Sequence, residues 1–337
     1  MGKRVDIHGI SAEPGEKVSA HVPVSERSDG TQLGFPLRII NGEAVGPRFW
    51  LMAGVHGNEV GGIETAVRVA HDFTPRDVNG TLIVVPLANT TAAEVGSRVS
   101  PIDGKDLNRS FPGNANGTFT DRLADRLFTA VTSTLSASDF LLDLHGAGSA
   151  TYVEYTDGND LGARNLELAR ASGVRIVDRI VPEFGEGGVS WTKIYAGTLG
   201  DALQAKGFKI PHITIESEDP RTYVLNVLKH VGITKGKPTP PDERSYVEGT
   251  RVFATKRGLW VPIAREGKRV RKNELLATVL NFDGEAIEEV RSPFNGILII
   301  MSRKKIVDPQ SPNLGMRYGA NVGKIVGQPT KKGRKSR

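Results

Sequence analysis

The chain has 337 residues, more than the usual single-domain length of about 100 to 200, so a main domain with a smaller companion is expected. Hydrophobic residues make up 38% and charged residues 24%, proportions of an ordinary globular protein that exclude fibrous and wholly disordered classes. The absence of cysteine excludes disulfides and thiolate chemistry, and it leaves histidine and carboxylates as the ligands of any metal.

The formal charge of +6 is concentrated at one end of the chain. The last ten residues, 328–337, contain five Lys and Arg and no acid, so about +1 remains for the rest. Five charges without aromatic residues attract polyanions only unspecifically, which predicts a solvated basic tail and no specific nucleic-acid partner. No window approaches the ~18 apolar residues of a membrane helix, so we expect a cytoplasmic protein without membrane contact.

The pattern of elements predicts an α/β sheet. Two apolar runs around Asn41-Gly42 within 37–55 predict a hairpin, and the second run leads into a Gly-rich loop. Helical spacing over 59–73 is followed by a strand of β-branched residues over 81–87. The alternation then continues with helices over 121–135, 160–172, 197–207 and 221–231 and with strands over 139–145 and 210–217. This order favours a largely parallel sheet covered by helices on both faces.

The sequence changes character after a Pro- and charge-rich stretch at 235–245, which is typical of a linker. Beyond it, short apolar runs separated by Gly, Asn and Asp predict a small all-β sandwich or barrel. The predicted units are N-terminal strands over 1–34, a main α/β domain over 35–236, a small all-β domain over 245–327 and the basic tail over 328–337.

Three polar segments each end an apolar strand. His56 and Glu59 lie three residues apart at a loop-to-helix junction, where one helical turn can direct both side chains to one point. His145 and Glu216 follow two other strands, and the carboxyl ends of strands in an open α/β sheet line a common crevice. His56, Glu59 and His145 form the ligand pattern of catalytic zinc, which keeps a fourth position open. Asp143 either orients one of these ligands or simply ends its strand.

A rigid loop between these segments offers a different chemistry. Asn108 and Arg109 precede Phe111 and Pro112, and Arg98 lies shortly before them. An amide donor beside a planar guanidinium can grip a carboxylate at two points. The alternative is that Arg109 pairs with an acid of the scaffold.

His56-x-x-Glu59, Asp106-Leu-Asn108-Arg109-x-Phe, Asp143-x-His145 and Thr214-x-Glu216, in this order and at these separations, resemble the succinylglutamate desuccinylase and aspartoacylase family. That family is related to the zinc metallocarboxypeptidases, and the resemblance spans most of residues 35–326. It implies a zinc carboxypeptidase-like fold with one Zn²⁺ per chain, held by His56, Glu59 and His145. It further implies that Glu216 is the general base, that Asn108 and Arg109 contact the substrate carboxylate, and that Arg98 polarises the scissile carbonyl.

The sequence departs from the family pattern in two places near the base. Glu216 is followed by Ser-Glu218-Asp219, where the family has a small residue and Gly, so Glu218 is a second candidate for the base. Aspartoacylases carry an Arg about ten residues before the base for a side-chain carboxylate, whereas this chain has Lys206 and Lys209. This difference argues against acetylaspartate as the substrate.

The C-terminal region resembles the half-barrel of biotinyl and lipoyl domains, but Glu285 stands near the position of the modified Lys. In the family, the small β domain shields the active site or forms an oligomer contact, so the resemblance admits a homo-oligomer.

Together these features predict a zinc-dependent deacylase that cleaves the amide bond of a small N-acyl amino acid or a related carboxylate. We expect the amine portion of that substrate to be neutral or basic. A zinc carboxypeptidase acting on peptides would use the same zinc and the same clamp, and a non-catalytic metal-binding protein is the alternative from another class. The acid at Glu216 argues against the last, since a site without catalysis has no need of a base.

Overall fold

A computed structural model describes residues 2–146, 151–156, 161–180, 197–239, 245–301, 305–307 and 321–327. Its strands are β1 Val5–Ile7, β2 Ile10–Ala12, β3 Lys17–Glu26, β4 Gln32–Asn41, β5 Ala44–Ala53, β6 Asn79–Val85, β7 Phe140–His145, β8 Tyr152–Thr156, β9 Ile176–Ile180, β10 His212–Glu216, β11 Ser245–Phe253, β12 Gly258–Pro262, β13 Arg269–Val270, β14 Leu275–Leu280, β15 Ala286–Arg291, β16 Gly296–Met301, β17 Lys305–Val307 and β18 Asn321–Gly327. Its α-helices are α1 Val60–Asp72, α2 Thr90–Glu94, α3 Phe119–Thr132, α4 Gly162–Ser172, α5 Leu199–Ala205 and α6 Arg221–His230. Two 3₁₀ turns span Pro75–Asp77 and Leu107–Arg109. The basic tail lies outside the described residues.

The large sheet has the strand order β13-β16-β18-β11-β9-β8-β10-β7-β5-β6-β4-β3. Its centre is parallel, because β10 pairs with β7, β7 with β5, and β5 with β6 in parallel register. Strands β8, β4 and β3 add antiparallel pairs. The predicted mixed, largely parallel sheet is therefore confirmed.

Hydrophobic alternation along β5 shows how the sheet is covered on both faces. Trp50 and Met52 pack into one core cluster with residues of α3 and α5, whereas Phe49 and Leu51 pack into a second cluster with residues of α1, α4 and α6. All four side chains are fully buried. A strand buried on both faces is what helices on either side of a parallel sheet produce.

The predicted helices and strands of the main region form close to their expected limits, but the predicted hairpin over 37–55 is wrong. Strands β4 and β5 both exist, yet β6 lies between them and pairs with each. The Asn-Gly connection therefore does not form a two-residue hairpin turn. Asn41 instead donates to the carbonyls of Lys3 and Ala12 at 2.9 and 3.0 Å. A Cβ on Gly42 would lie 1.9 Å from the Val78 carbonyl oxygen, so glycine here permits close backbone packing.

The C-terminal region is all-β, as predicted, and its strands pair with one another in antiparallel register. Strands β15, β14, β12 and β17 form a separate four-stranded sheet that packs against the end of the large sheet around Trp260, Val279 and Leu298. Strand β11 joins this region to the main sheet, because it pairs in parallel with β9 and antiparallel with β18. The division into the units predicted from the sequence stays a prediction. Within the described parts of the chain, no helix has the length and apolarity needed to cross a membrane.

Candidate metal centre

The candidate site lies at the carboxyl ends of three adjacent parallel strands. In register, Ala53 of β5 is opposite Leu144 of β7, and His145 of β7 is opposite Glu216 of β10. Strand β5 then leads through a short loop to His56. Because these strands are neighbours, residues separated by up to 160 positions in the sequence meet at one edge of the sheet.

Three of the predicted residues converge as a donor set. The Nδ1 atom of His56 lies 2.8 Å from Glu59 Oε1, and the Nδ1 atom of His145 lies 2.8 Å from Glu59 Oε2. The two Nδ1 atoms are 3.1 Å apart. All three residues are buried, and each directs a ligand atom into a space less than 4.8 Å across. Two ring nitrogens and a carboxylate that face one point make a site for a cation.

Glu59 is available to this site because of its position before α1. It is the N-cap residue of the helix, yet its side chain accepts no capping hydrogen bond. Its Oε2 atom instead accepts a hydrogen bond from the Gly146 amide at 3.1 Å. The carboxylate is thereby tied to the end of β7, beside His145.

Each histidine has a carboxylate behind it. Asp143 Oδ2 lies 3.1 Å from His145 Nε2, and Asp106 Oδ1 lies 3.3 Å from His56 Nε2. A proton on each Nε2 satisfies these contacts and leaves both Nδ1 lone pairs pointing at the centre. Such outer carboxylates fix the orientation of metal-binding histidines and make them better donors.

The electrostatics of the donor set favour positive charge. Burial lowers the pKa of His145, but Asp143 and Glu59 outweigh it, so the pKa lies well above its ordinary value. Burial raises the pKa of Glu59, yet its contacts with His145 and His56 hold it well below the usual range. Without a metal, a proton on His145 supplies the cation that the surrounding carboxylates require. The residues therefore fit a divalent ion in ligand type, geometry and charge.

Arg98 lies at the edge of this donor set. Its Nε donates to Asp106 Oδ2 at 3.0 Å, and its Nη1 is 3.3 Å from His56 Nδ1 and 3.7 Å from Glu59 Oε1. Burial raises the pKa of Asp106, but His56, Arg98 and Arg109 together hold it well below its ordinary value. Asp106 is therefore an anion that connects Arg98 to the back of His56.

Asp106 also fixes the loop of the predicted clamp. It caps the 3₁₀ turn Leu107–Arg109, where its Oδ1 atom accepts from the Asn108 amide at 2.9 Å. Asn108 and Arg109 are both partly buried, and Asn108 Oδ1 is buried without a hydrogen-bond partner among the described residues. The clamp residues are thus attached, through one aspartate, to the histidine of the donor set.

Sequence reasoning assigned no role to Asp106, although it belongs to the Asp-Leu-Asn-Arg motif. One local signal was available: an Asp before a helical turn commonly caps that turn by accepting a hydrogen bond from the backbone amide two residues later. Its second contact, with His56, depends on a residue 50 positions away and carries no local pattern.

Glu216 and Glu218 lie in very different surroundings. Glu216 is partly buried, and its Oε2 atom is sealed from solvent without a hydrogen-bond partner in the described part of the chain. Burial raises the pKa of Glu216 to about 8, with Glu59 and Glu154 adding to the rise while His145 and Arg98 oppose it. Glu218 is exposed. The buried carboxyl is the one with the proton affinity of a base at neutral pH.

The two lysines that replace the expected arginine lie away from the donor set. Lys206 caps the C-terminal end of α5, and Lys209 precedes β10. Both are exposed, and they sit at the amino end of β10, whose five residues span about 13 Å. Neither supplies a positive charge at the Glu216 end of that strand.

Comparison with known proteins identifies the family of this chain. The model of the succinylglutamate desuccinylase/aspartoacylase catalytic domain matches residues 45–180. The N-alpha-acetyl-L-2,4-diaminobutyric acid deacetylase of Halomonas elongata is 30% identical to this chain. The match covers 86% of this chain and 92% of the relative. The chain belongs to the succinylglutamate desuccinylase/aspartoacylase family. The resemblance stated from the motifs is thereby confirmed.

Solved structures of the family share the fold. The succinylglutamate desuccinylase/aspartoacylase of Rhodobacter sphaeroides superposes with a TM-score of 0.77 at 23% identity, covering 96% of this chain and 97% of its own. The product-bound ectoine utilization protein EutE (DoeB) of Ruegeria pomeroyi gives a TM-score of 0.74 at 25% identity, covering 92% and 95%. These family members match both the main sheet and the C-terminal β region over nearly the whole chain.

Proposed function

We propose that this family member is a zinc-dependent deacylase that hydrolyses the amide bond of small N-acyl amino acids. The observation that carries the proposal is the convergence of His56, Glu59 and His145 beside Glu216, a partly buried carboxyl whose Oε2 atom has no hydrogen-bond partner in the described structure. Ligands alone would support a structural metal site. An adjacent proton acceptor supports hydrolysis.

One Zn²⁺ per chain would be held by His56, Glu59 and His145, with Asp106 and Asp143 orienting the two histidines. When bound there, the ion would supply Lewis acidity toward the amide carbonyl and would lower the pKa of a water molecule in the site to about 7. Three protein ligands leave a coordination position open, as catalytic zinc requires.

Glu216 is the proposed general base. Its carboxylate would take a proton from the water that attacks the amide carbon and then give that proton to the leaving amine nitrogen. The pKa of about 8 belongs to the metal-free protein, and the positive charge of a bound metal would lower it toward neutrality. A carboxylate with that proton affinity can serve in both steps.

Asn108 and Arg109 are the proposed clamp for the substrate carboxylate, and Arg98 is the proposed donor to the scissile carbonyl. Arg98 suits this task because its guanidinium already lies 3.3 Å from one histidine of the donor set. Asp106 caps the turn that carries the proposed clamp and also contacts His56, which supports a substrate whose carboxylate and scissile carbonyl are separated by a single amino acid.

The relative from Halomonas elongata is named for the deacetylation of an acetylated diamino acid. We propose the same substrate class for this chain, with a neutral or basic amine portion, because the cations that would bind a second carboxylate lie at the other end of β10. We further propose that it acts in the cytoplasm, where such metabolites are turned over.

The decisive assay compares N-acetyl, N-succinyl and N-formyl amino acids with tetrapeptides, using protein loaded with one equivalent of zinc. We expect kcat/KM for the best N-acyl amino acid to exceed that for every tetrapeptide by at least ~100-fold, and we expect Glu216→Gln to lower both rate constants by at least ~100-fold. Equal or faster release of C-terminal residues from tetrapeptides would favour the carboxypeptidase. No hydrolysis of any compound by the zinc-loaded protein would favour a non-catalytic metal-binding role.

A further inference from the structure

We infer that Glu218 is a specificity-determining residue that binds the side-chain ammonium of the substrate, so that the enzyme selects Nα-acyl diamino acids with a short cationic side chain. This inference rests on the proposed deacylase function. It concerns a residue that is distinct from the metal ligands, the base and the carboxylate clamp.

Two glycines that the chain approaches closely place Glu218 beside the donor set. A Cβ on Gly61 would lie 2.0 Å from the Glu218 carbonyl oxygen, so the Glu218 peptide packs directly on the first turn of α1. That turn follows Glu59. At the end of β7, the point that a Gly146 side chain would occupy lies 3.4 Å from Glu218 Oε1 and 3.7 Å from Glu59 Cβ. Glu218 and Glu59 therefore both lie next to Gly146. Glu59 is buried, whereas Glu218 is exposed to solvent.

Ser217, the residue before Glu218, holds the backbone of this segment through two contacts of its own. Its amide donates to the His145 carbonyl at 2.9 Å, and its hydroxyl is 3.0 Å from the hydroxyl of Thr151. Ser217 is buried. A hydrogen bond thus holds the residue before Glu218, and packing against Gly61 holds the Glu218 peptide itself, so the carboxylate extends from a fixed backbone beside the donor set.

The carboxylates that contact the two histidines are paired, whereas the carboxylate of Glu218 is available to a ligand. Glu59 contacts both histidines, Asp143 contacts His145, and Asp106 contacts Arg98 and His56. Within the described structure, the carboxylate of Glu218 makes no hydrogen bond and no ion pair. An exposed anion beside the proposed substrate site, without a cation paired to it among the described residues, attracts a cationic group and repels an anionic one.

The test compares two substrates of nearly identical shape, Nα-acetyl-2,4-diaminobutyrate and Nα-acetylnorvaline, in which a methyl group replaces the ammonium. We expect zinc-loaded wild-type protein to prefer the cationic compound by at least tenfold in kcat/KM, mainly through KM, because a hydrogen bond to a charged group contributes about that factor or more. Glu218→Gln should reduce this preference at least tenfold, and Glu218→Asp should restore part of it.

Charge reversal gives a second readout that loss of folding cannot imitate. Glu218→Lys should raise the ratio of N-acetylaspartate to Nα-acetyl-2,4-diaminobutyrate hydrolysis by at least 100-fold relative to wild type. Asp219→Asn is the matched control, because it removes the same charge one residue further along the chain, and it should leave the substrate preference within threefold of wild type.

Several outcomes would overturn the inference. One is a wild-type enzyme that hydrolyses both compounds equally, and another is an equal loss of preference in Asp219→Asn and Glu218→Gln. A third is a Glu218→Gln variant that loses activity toward every substrate while Glu216→Gln retains it, since this would identify Glu218 as the base. Failure of the wild-type enzyme to hydrolyse any N-acyl amino acid would instead contradict the proposed function itself.

Discussion

The candidate metal centre and the C-terminal β region bury very different side chains. At the carboxyl ends of β5, β7 and β10, the buried residues include His56, Glu59, Asp143 and His145. In the described C-terminal residues 254–301, Ser292 alone is both buried and polar, while the core around Trp260 is apolar. Burying charge is costly unless it is paired, so a protein that concentrates it at one place has a chemical use for it there. The C-terminal region contributes packing.

Removal of a metal ligand should have the largest effect. With His56→Ala or His145→Ala, we expect zinc content to fall from about one ion per chain to well below half, because two ligands hold the ion poorly. The rate constant kcat/KM should fall at least ~1000-fold, which corresponds to several kcal/mol of lost transition-state stabilisation. Elemental analysis and the N-acyl amino acid assay provide the two measurements.

His71→Ala is the control for these variants, since the His71 side chain is 86% exposed and lies outside the donor set. It should keep both metal and activity. Stoichiometric zinc in both ligand variants would show that the two histidines are not metal ligands. The buried polar residues of the candidate centre would then have no metal-binding role to distinguish them from the C-terminal core.

Replacing the base should separate catalysis from metal binding. We expect Glu216→Gln to retain zinc and to lower kcat by at least ~100-fold, the usual scale for a lost general base. Glu218→Gln is the comparison variant, and its kcat should fall far less. The reverse order of the two effects would identify the exposed Glu218 as the base and show that burial does not distinguish the general base in this site.

The carboxylates behind the histidines should have a smaller effect. Asp143→Asn should weaken zinc binding by about 10- to 100-fold, because His145 loses the acceptor that orients its ring. Competition with a chelator of known affinity measures this change. Asp29→Asn, in an exposed turn, is the control and should bind zinc like wild type. Unchanged affinity in Asp143→Asn would make Asp143 simply the acid that ends its strand.

The smallest expected effect is on the pH dependence of stability in metal-free protein. The pKa of Glu216 is raised from 4.5 to about 8, so between these values the folded state holds a proton that the unfolded state has released. Stability therefore falls as pH rises across this window. Glu216→Gln cannot titrate, and its stability relative to wild type should increase by roughly 1 kcal/mol or more between pH 5.5 and 8.

Denaturant titrations of both metal-free proteins at the two pH values measure this difference. The comparison with the Gln variant cancels contributions from titrating groups that do not interact with Glu216. A difference that stays constant with pH would mean that Glu216 is ionised in the folded protein at neutral pH even without metal.

How far the sequence predicts the fold depends on whether the information is local. Helices α1, α3 and α6 follow from apolar residues at helical spacing, and β7 and β10 from short apolar runs before a polar residue. The hairpin over 37–55 failed because strand pairing is not local. Asn41-Gly42 has the composition of a hairpin turn, but β6, which begins 38 residues after Asn41, pairs between the two strands.

The candidate base shows the same limit within a single strand. Alternation sends Glu216 and Glu218 to one side, so the sequence alone left both candidates open. Strand β10 ends at Glu216, and beyond it the chain turns toward the first turn of α1. The alternation therefore stops between the two residues, which explains why one is partly buried and the other exposed.

The sequence by itself determined the family, the mixed sheet and the identity of the donor set, because motif residues of fixed chemistry follow predictable strands in a fixed order. Only the tertiary structure decided which carboxylate stands behind each histidine, how Asp106 joins Arg98 to His56, and that Gly61 and Gly146 bring Glu218 beside Glu59. These contacts link residues far apart in the chain through strand order and close backbone packing. Neither property leaves a periodic pattern in the sequence.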